Sequence, residues 1–149
     1  MKIDQKKIEV WMVNPFIQGG IIAIMILLFV GVEAFMKWTG ISEPDQNFPW
    51  ITSTSLILFY IIANSVISLK AKSIAKYWGK SITTFILLLV LGSLFAYLVS
   101  GITIDEAGTF RWIYFVLTLG YLIFLAIVQT MKRIVDIAIK QDKRLRGEE

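Results

Sequence analysis

Histidine and cysteine are both absent from this sequence of 149 residues. Without cysteine there are no disulfides and no thiol redox chemistry. Without either residue there is no His- or Cys-ligated zinc or haem, and no nucleophile–histidine triad. Charge is scarce as well: Asp, Glu, Lys and Arg make up 17% of the chain, against roughly 25% in soluble domains. Proline occurs three times, at Pro15, Pro44 and Pro49, and none interrupts the middle of an apolar run. What is abundant is apolar surface, with 56% hydrophobic residues and a mean hydropathy of +0.70. A soluble fold of this length must keep a large polar exterior, so it cannot hide that excess inside.

The apolar residues fall into four runs, about 15–36, 50–69, 82–102 and 112–131. Each holds about 20 to 22 residues, or roughly 30 Å of helix, which matches the hydrocarbon core of a bilayer. A buried helix of a soluble bundle would carry a polar face, and none of these runs does over its central turns. The expected fold is therefore an all-α integral membrane protein, a single four-span domain covering residues 1–149, with short loops that force antiparallel neighbours. Asn14 before Pro15 fits an N-cap followed by proline at the first helical position. Pro44 and Pro49 bracket the polar Asp45-Gln46-Asn47 connection, and Gly79 and Gly101 fall in the next two.

Orientation follows from the distribution of lysine and arginine. The N-terminal segment, the 70–80 connection and the tail after residue 131 share one side and hold 13 of the 15 basic residues. Only Lys37 and Arg111 lie on the other side, whose loops carry Glu43, Asp45, Asp105 and Glu106. Both termini are thus expected in the cytoplasm, in a cytoplasmic (inner) membrane. Tryptophan favours the headgroup layer; Trp38, Trp50 and Trp112 mark the outer boundary on this reading, and Trp11 and Trp78 the inner one. A cleavable signal peptide is a poor description of the first run, which exceeds the usual apolar length and would place Glu33 at the Val32-Glu33-Ala34 cleavage site.

The cytoplasmic flanks carry their own patterns. Ile8, Trp11, Met12 and Pro15 recur at helical spacing beside Lys6, Lys7 and Glu9, which predicts a short interfacial helix over 1–14. Beyond the fourth run, Met131, Ile134, Val135 and Ala138 form an apolar stripe opposite Arg133, Asp136, Lys140 and Lys143. Such a tail either lies on headgroups or the 70–80 connection, or offers a docking stripe to a cytoplasmic partner. Lys70, Lys72, Lys76 and Lys80 stand together with no acid among them, the composition that contacts anionic lipid. The basic pI of 9.4 is accounted for by this bias, so no nucleic-acid partner is expected.

Polar residues within spans are candidates for function by default. Glu33 is the one carboxylate, near the outer end of the first span and four residues before Lys37, a spacing that favours an outward-snorkelling ion pair. Gln18, Asn64 and Gln129 share one level in the inner half, with Ser65, Ser68, Thr83, Thr84 and Thr130 at similar depth. Together with Glu33 they make a candidate intramembrane polar site. The plainer reading is interhelical hydrogen bonding; the sharper one is a headgroup, quinone-ring or small-ligand site. Gly92, Ala96 and Ser100 repeat every four residues on the third span, as do Gly19 and Ala23 on the first, a pattern that allows close helix packing.

No catalytic set, cofactor site or metal cluster emerges from these residues, which leans against an enzyme. The expected function is an accessory or assembly subunit of a larger membrane complex, with a membrane-protein partner or a second copy as companion. A small exporter using Glu33 is the alternative. In size, span number and one carboxylate in the first span, the chain is similar to the small multidrug resistance family, although its carboxylate lies near the outer end and no motif is shared. A lipid- or quinone-binding protein is the third reading. A membrane enzyme acting on lipid, with Asp105, Glu106 and Arg111 meeting a headgroup at the outer face, is weighed beside it, but no nucleophile–base pair or metal cluster accompanies these loop charges.

Overall fold

Four helices make up the secondary structure of the computed structural model, which describes residues 13–41, 45–71 and 73–147; no strand occurs among them. They are α1 (Pro15–Thr39), α2 (Phe48–Ser68), α3 (Ile74–Ser100) and α4 (Phe110–Leu145). All four are long and apolar enough to cross a bilayer, which fits a multi-pass membrane protein. The N-terminal segment 1–12, including Ile8, Trp11 and Met12, lies outside the described residues, as do Glu43, Pro44 and Lys72.

Local chemistry sets the helix ends. The Asn14 side chain accepts from the Phe16 amide at 3.2 Å, and Pro15 occupies the first turn, where its missing N–H costs nothing. At the far end of α1, Gly40 takes φ +68°, its amide bonds the Lys37 carbonyl and the Ile41 amide bonds that of Met36. This is the Schellman arrangement, which satisfies two orphan carbonyls. The helices outrun the apolar stretches that announced them. α3 starts at Ile74, inside the lysine-rich connection, so Lys76 and Lys80 are helical and Gly79 does not break the turn. Glycine costs only about 1 kcal/mol within a helix, less than packing can return. α4 runs through to Leu145 as one helix of 36 residues.

The chain goes up, down, up and down through loops 40–47, 69–73 and 101–109. α1, α2 and α3 pack against one another, and α4 leans on α2 with a small contact to α3. Each helix buries one stripe. On α1 it is Gly19, Ile22, Ile26, Val30 and Glu33; on α3 it includes Phe85, Leu88 and Ala96. The outward faces stay apolar, with Leu27, Phe29, Ile62, Val90 and Leu98 among many exposed side chains. That distribution suits a bundle surrounded by hydrocarbon, where the interior need not be more apolar than the outside.

Small residues mark the closest approaches. A Cβ added to Gly19 would collide with the Thr84 side chain, so α1 and α3 meet there almost backbone to side chain. At Gly92 an added Cβ would sit 3.1 Å from the Ile57 Cδ1 and 3.8 Å from the Ile26 Cδ1, which puts this glycine between α1 and α2. Ala96 and Ser100 continue the buried stripe toward the loop after α3.

Candidate functional site: two buried polar layers

Asn64 has 0% of its surface exposed and is the meeting point of all four helices. Its Nδ2 donates to Gln18 Oε1 of α1 at 2.8 Å and to the Tyr77 hydroxyl of α3 at 3.0 Å. Its Oδ1 accepts from the Tyr121 hydroxyl of α4 at 2.8 Å, and its backbone carbonyl accepts from the Tyr77 hydroxyl at 3.2 Å. Gln18 Nε2 completes the ring of contacts by donating to Tyr77 Oη at 3.4 Å. An asparagine amide has two donors and one carbonyl, and here both ends are used. Just beside it the Tyr60 hydroxyl donates to the Ser81 carbonyl at 3.2 Å, a further bond from α2 to α3.

Aromatic packing holds this hub in place. The Tyr121 ring lies 4.7 Å from Phe85 and 6.3 Å from Tyr60, centroid to centroid, in tilted geometries favoured by ring quadrupoles. Tyr121 is therefore the chief anchor of α4, apolar on its faces and bonded at its tip.

Of the four polar positions grouped from the sequence, the structure brings Gln18 and Asn64 into contact. Gln129 is exposed on α4, beside Arg133, Asp136 and Lys140, one helical turn beyond the last buried residue, Leu125. Glu33 lies at the other end of the bundle. The serine and threonine hydroxyls at hub depth mostly turn back onto their own helices. Ser65 bonds the Ile61 carbonyl, Thr83 that of Gly79, Thr84 that of Lys80 and Thr130 that of Ala126. A hydroxyl reaches the carbonyl four residues earlier without crossing to a neighbour, so tyrosines carry the interhelical bonds instead. Tyr77 and Tyr121 were legible in one respect: a phenol within an apolar run needs a partner for its hydroxyl.

The second layer is at the opposite end, and its polar groups lack partners. Glu33 is 5% exposed, and its Oε2 has no hydrogen bond. It stands on the buried stripe of α1, three residues after Val30, rather than on the outer surface; Lys37 is exposed and forms no salt bridge with it. The expected outward ion pair is thus replaced by a carboxyl turned into the bundle, because its helical position shares the face of Ile26 and Val30. Trp50 Nε1, Ser53 Oγ, Thr54 Oγ1 and the Tyr114 hydroxyl are likewise buried without a partner. By helix rise all lie within about 10 Å of the same end of the bundle. The Thr54 and Ser93 hydroxyls neighbour that of Tyr114.

Trp50 departs from its expected boundary role. It is 1% exposed and packs its ring 6.2 Å from Tyr114 and 6.3 Å from Phe110, so it joins α2 to α4. Trp38 and Trp112, at 84% and 64% exposed, do face outward, and Trp78 is partly buried. The loop beyond α3 is closed by its own charges. Glu106 accepts from the Thr103 amide at 2.7 Å and from its hydroxyl at 2.9 Å, and Asp105 pairs with Arg111 at 2.9 Å. The Thr103 donors hold the Glu106 carboxyl below the usual carboxylate range. Asp105 and Arg111 thus engage each other and Glu106 engages the loop backbone, with all three exposed.

At the lysine-rich end a cleft of about 260 Å³ is bordered by Asn14, Ala71, Ser73, Lys76, Tyr77 and Lys80. Lys70 is exposed nearby at the end of α2. Lys132 of α4 reaches across and donates to the Ala71 carbonyl, tying α4 to the α2–α3 connection. Among the described residues no cluster of three or more His, Cys, Asp or Glu side chains is placed to hold a metal ion.

Among the described residues the fold thus defines an all-helical bundle of four helices, each fit to cross a bilayer, with a hydrogen-bonded hub centred on Asn64 at one end, where only Trp78 Nε1 and Ser81 Oγ lack partners, and a largely unpartnered polar layer at the other. Comparison with known proteins finds no matching family model, no similar curated protein and no similar solved structure.

Proposed function

We propose that this chain is a four-span protein of a cytoplasmic membrane, with both termini inside, that acts as a non-enzymatic accessory or assembly subunit of a larger membrane complex. The observation that carries the reading is α4. Its 36 residues extend about 54 Å, against a hydrocarbon core of about 30 Å, so more than a third of the helix projects beyond it. In the whole helix only Tyr114, Tyr121 and Leu125 are buried. The stripe Met131, Ile134, Val135 and Ala138 is exposed and is turned roughly 100° round the helix from those three residues. The hydrogen bond to the α2–α3 connection is made by the Lys132 ammonium. An amphipathic helix with its apolar face uncovered is the usual form of a helix that docks in a partner's groove.

The test is extraction in mild detergent, affinity capture through an N-terminal tag and mass spectrometry of what is retained. A membrane protein recovered in fixed ratio, and lost when Ile134 and Val135 are both changed to Ser, is the expected result. A homogeneous particle with no foreign subunit defeats the proposal.

One observation favours a second reading, the small exporter. Glu33 is a buried carboxyl with an unused oxygen, and intramembrane carboxyls of that kind serve proton- and cation-coupled transport. On this reading Glu33→Gln abolishes flux of a cationic dye from loaded proteoliposomes. Unchanged flux, or none in the unaltered protein, disposes of it.

A further inference from the structure

The cleft at the lysine-rich end combines features that a general electrostatic attraction to the membrane does not require. Lys76 and Lys80 are one turn apart on α3 and border the same cavity, as side chains four residues apart on a helix do. Neither is engaged in an ion pair among the described residues, and both are exposed. Among the described residues, no acidic side chain borders the cavity. Ser73, at the N-cap of α3, makes no capping bond with its hydroxyl, and Asn14 contributes an amide from the start of α1. Tyr77 forms the inner wall, and its hydroxyl belongs to the Asn64 hub. The polar part of the lining is therefore two lysines without ion pairs, two small polar side chains and a phenol, completed by the apolar Val13, Pro15 and Ala71, around a volume of about 260 Å³. Its position along α3 is one to two turns beyond the apolar stretch that begins at Ile82, which is the headgroup level if the bundle spans a bilayer.

We infer that this cleft is a phosphate-binding seat, made to take the phosphodiester of an anionic lipid headgroup between Lys76 and Lys80, with Ser73 and Asn14 as hydrogen-bonding groups. The ammonium groups supply charge, and the cavity supplies position, so one lipid is held at a defined place. Because Tyr77 lies both in the wall and in the hub, the occupied seat braces α1 against α3 at the point where all four helices meet. The inference rests on the four-span membrane reading and is independent of any partner subunit, so a failed co-purification leaves it standing.

The experiment measures lipid retention and melting of the purified full chain in neutral detergent, with phosphatidylglycerol, phosphatidylcholine, glycerol phosphate or inorganic phosphate added. Native mass spectrometry is expected to show one phosphatidylglycerol retained, and the melting temperature to rise with that lipid and not with phosphatidylcholine. The double variant Lys76→Gln/Lys80→Gln loses the retained lipid, with affinity at least tenfold weaker. The equal charge change Lys140→Gln/Lys143→Gln, on the exposed end of α4, leaves it within twofold. Protection by glycerol phosphate or inorganic phosphate that needs Lys76 and Lys80 supports the phosphate seat and assigns its source to a soluble anion. Equal losses in the two double variants, or equal effects of the two lipids, overturn the inference, since either outcome means that net charge or detergent exchange suffices.

Discussion

Asn64 shows how a single amide can set the register of four helices. Each of its three side-chain bonds crosses to a different element, to Gln18, Tyr77 and Tyr121, and none can be made if a helix slides by one residue. Within a membrane such bonds are individually modest, about 0.6 kcal/mol on average and at most about 1.7. Removing the amide is costlier than that average, because it leaves several buried partners unpaired. Tyr121→Phe should therefore lower stability by about 1 kcal/mol, and Asn64→Leu by about 2 to 3 kcal/mol. Unfolding by titration of denaturing detergent, followed by near-UV circular dichroism, measures both. A smaller loss for Asn64→Leu than for Tyr121→Phe would contradict the hub.

At the scale of elements, α3 is the helix on which close approach matters most. Gly19 of α1 faces Thr84, whose hydroxyl is bound to the Lys80 carbonyl and whose methyl is thereby held toward α1. Gly19→Ala should force the helices apart or rotate Thr84, at a cost of about 1 to 3 kcal/mol. The double variant Gly19→Ala/Thr84→Ser removes the colliding methyl and should recover most of that loss. The same detergent titration reads both, and no recovery in the double variant would refute the contact.

The loop between α3 and α4 yields a pH prediction. Two Thr103 donors lower the folded-state value of Glu106, so its contribution to loop order is fully present above the ordinary carboxylate range, about pH 4 to 5. It is lost as pH falls through the depressed value, when the carboxyl takes up its proton and the Thr103 amide loses a charged acceptor. Hydrogen exchange at the Thr103 amide should accordingly speed up on acidification, after correction for intrinsic rates. Glu106→Gln should show faster exchange already at pH 7 and little further dependence on acid. A pH-independent protection factor in the unaltered protein would count against the closed loop.

For the whole molecule, the bundle and the projecting end of α4 are separable. Residues 133–147 are exposed, and among the described residues the last hydrogen bond to the bundle is that of Lys132 to Ala71. A chain ended after residue 133 should keep its melting behaviour within about 0.5 kcal/mol, the range of surface changes, while losing the proposed partner. Loss of the fold itself would mean that the extension stabilises the bundle and does not reach outward.

Much of this architecture was legible because helices long and apolar enough to cross a bilayer leave an unmistakable mark. Hydrocarbon rewards apolar side chains all round the helix and admits no open backbone, so length and composition identify the four helices directly. The sequence by itself also determined the cap at Asn14 and Pro15, the small-residue stripe through Gly92, and the level shared by Gln18 and Asn64. Only the tertiary structure decided which polar groups meet. The azimuth of each helix turns Glu33 and Trp50 inward, leaves Gln129 outside and selects Tyr77 and Tyr121 as partners of Asn64. The physical reason is that in a helix apolar on every face, periodicity does not distinguish the side that meets a neighbour from the side that meets lipid. That choice is made by steric fit between helices and by hydrogen bonds whose partners lie dozens of residues away in the chain.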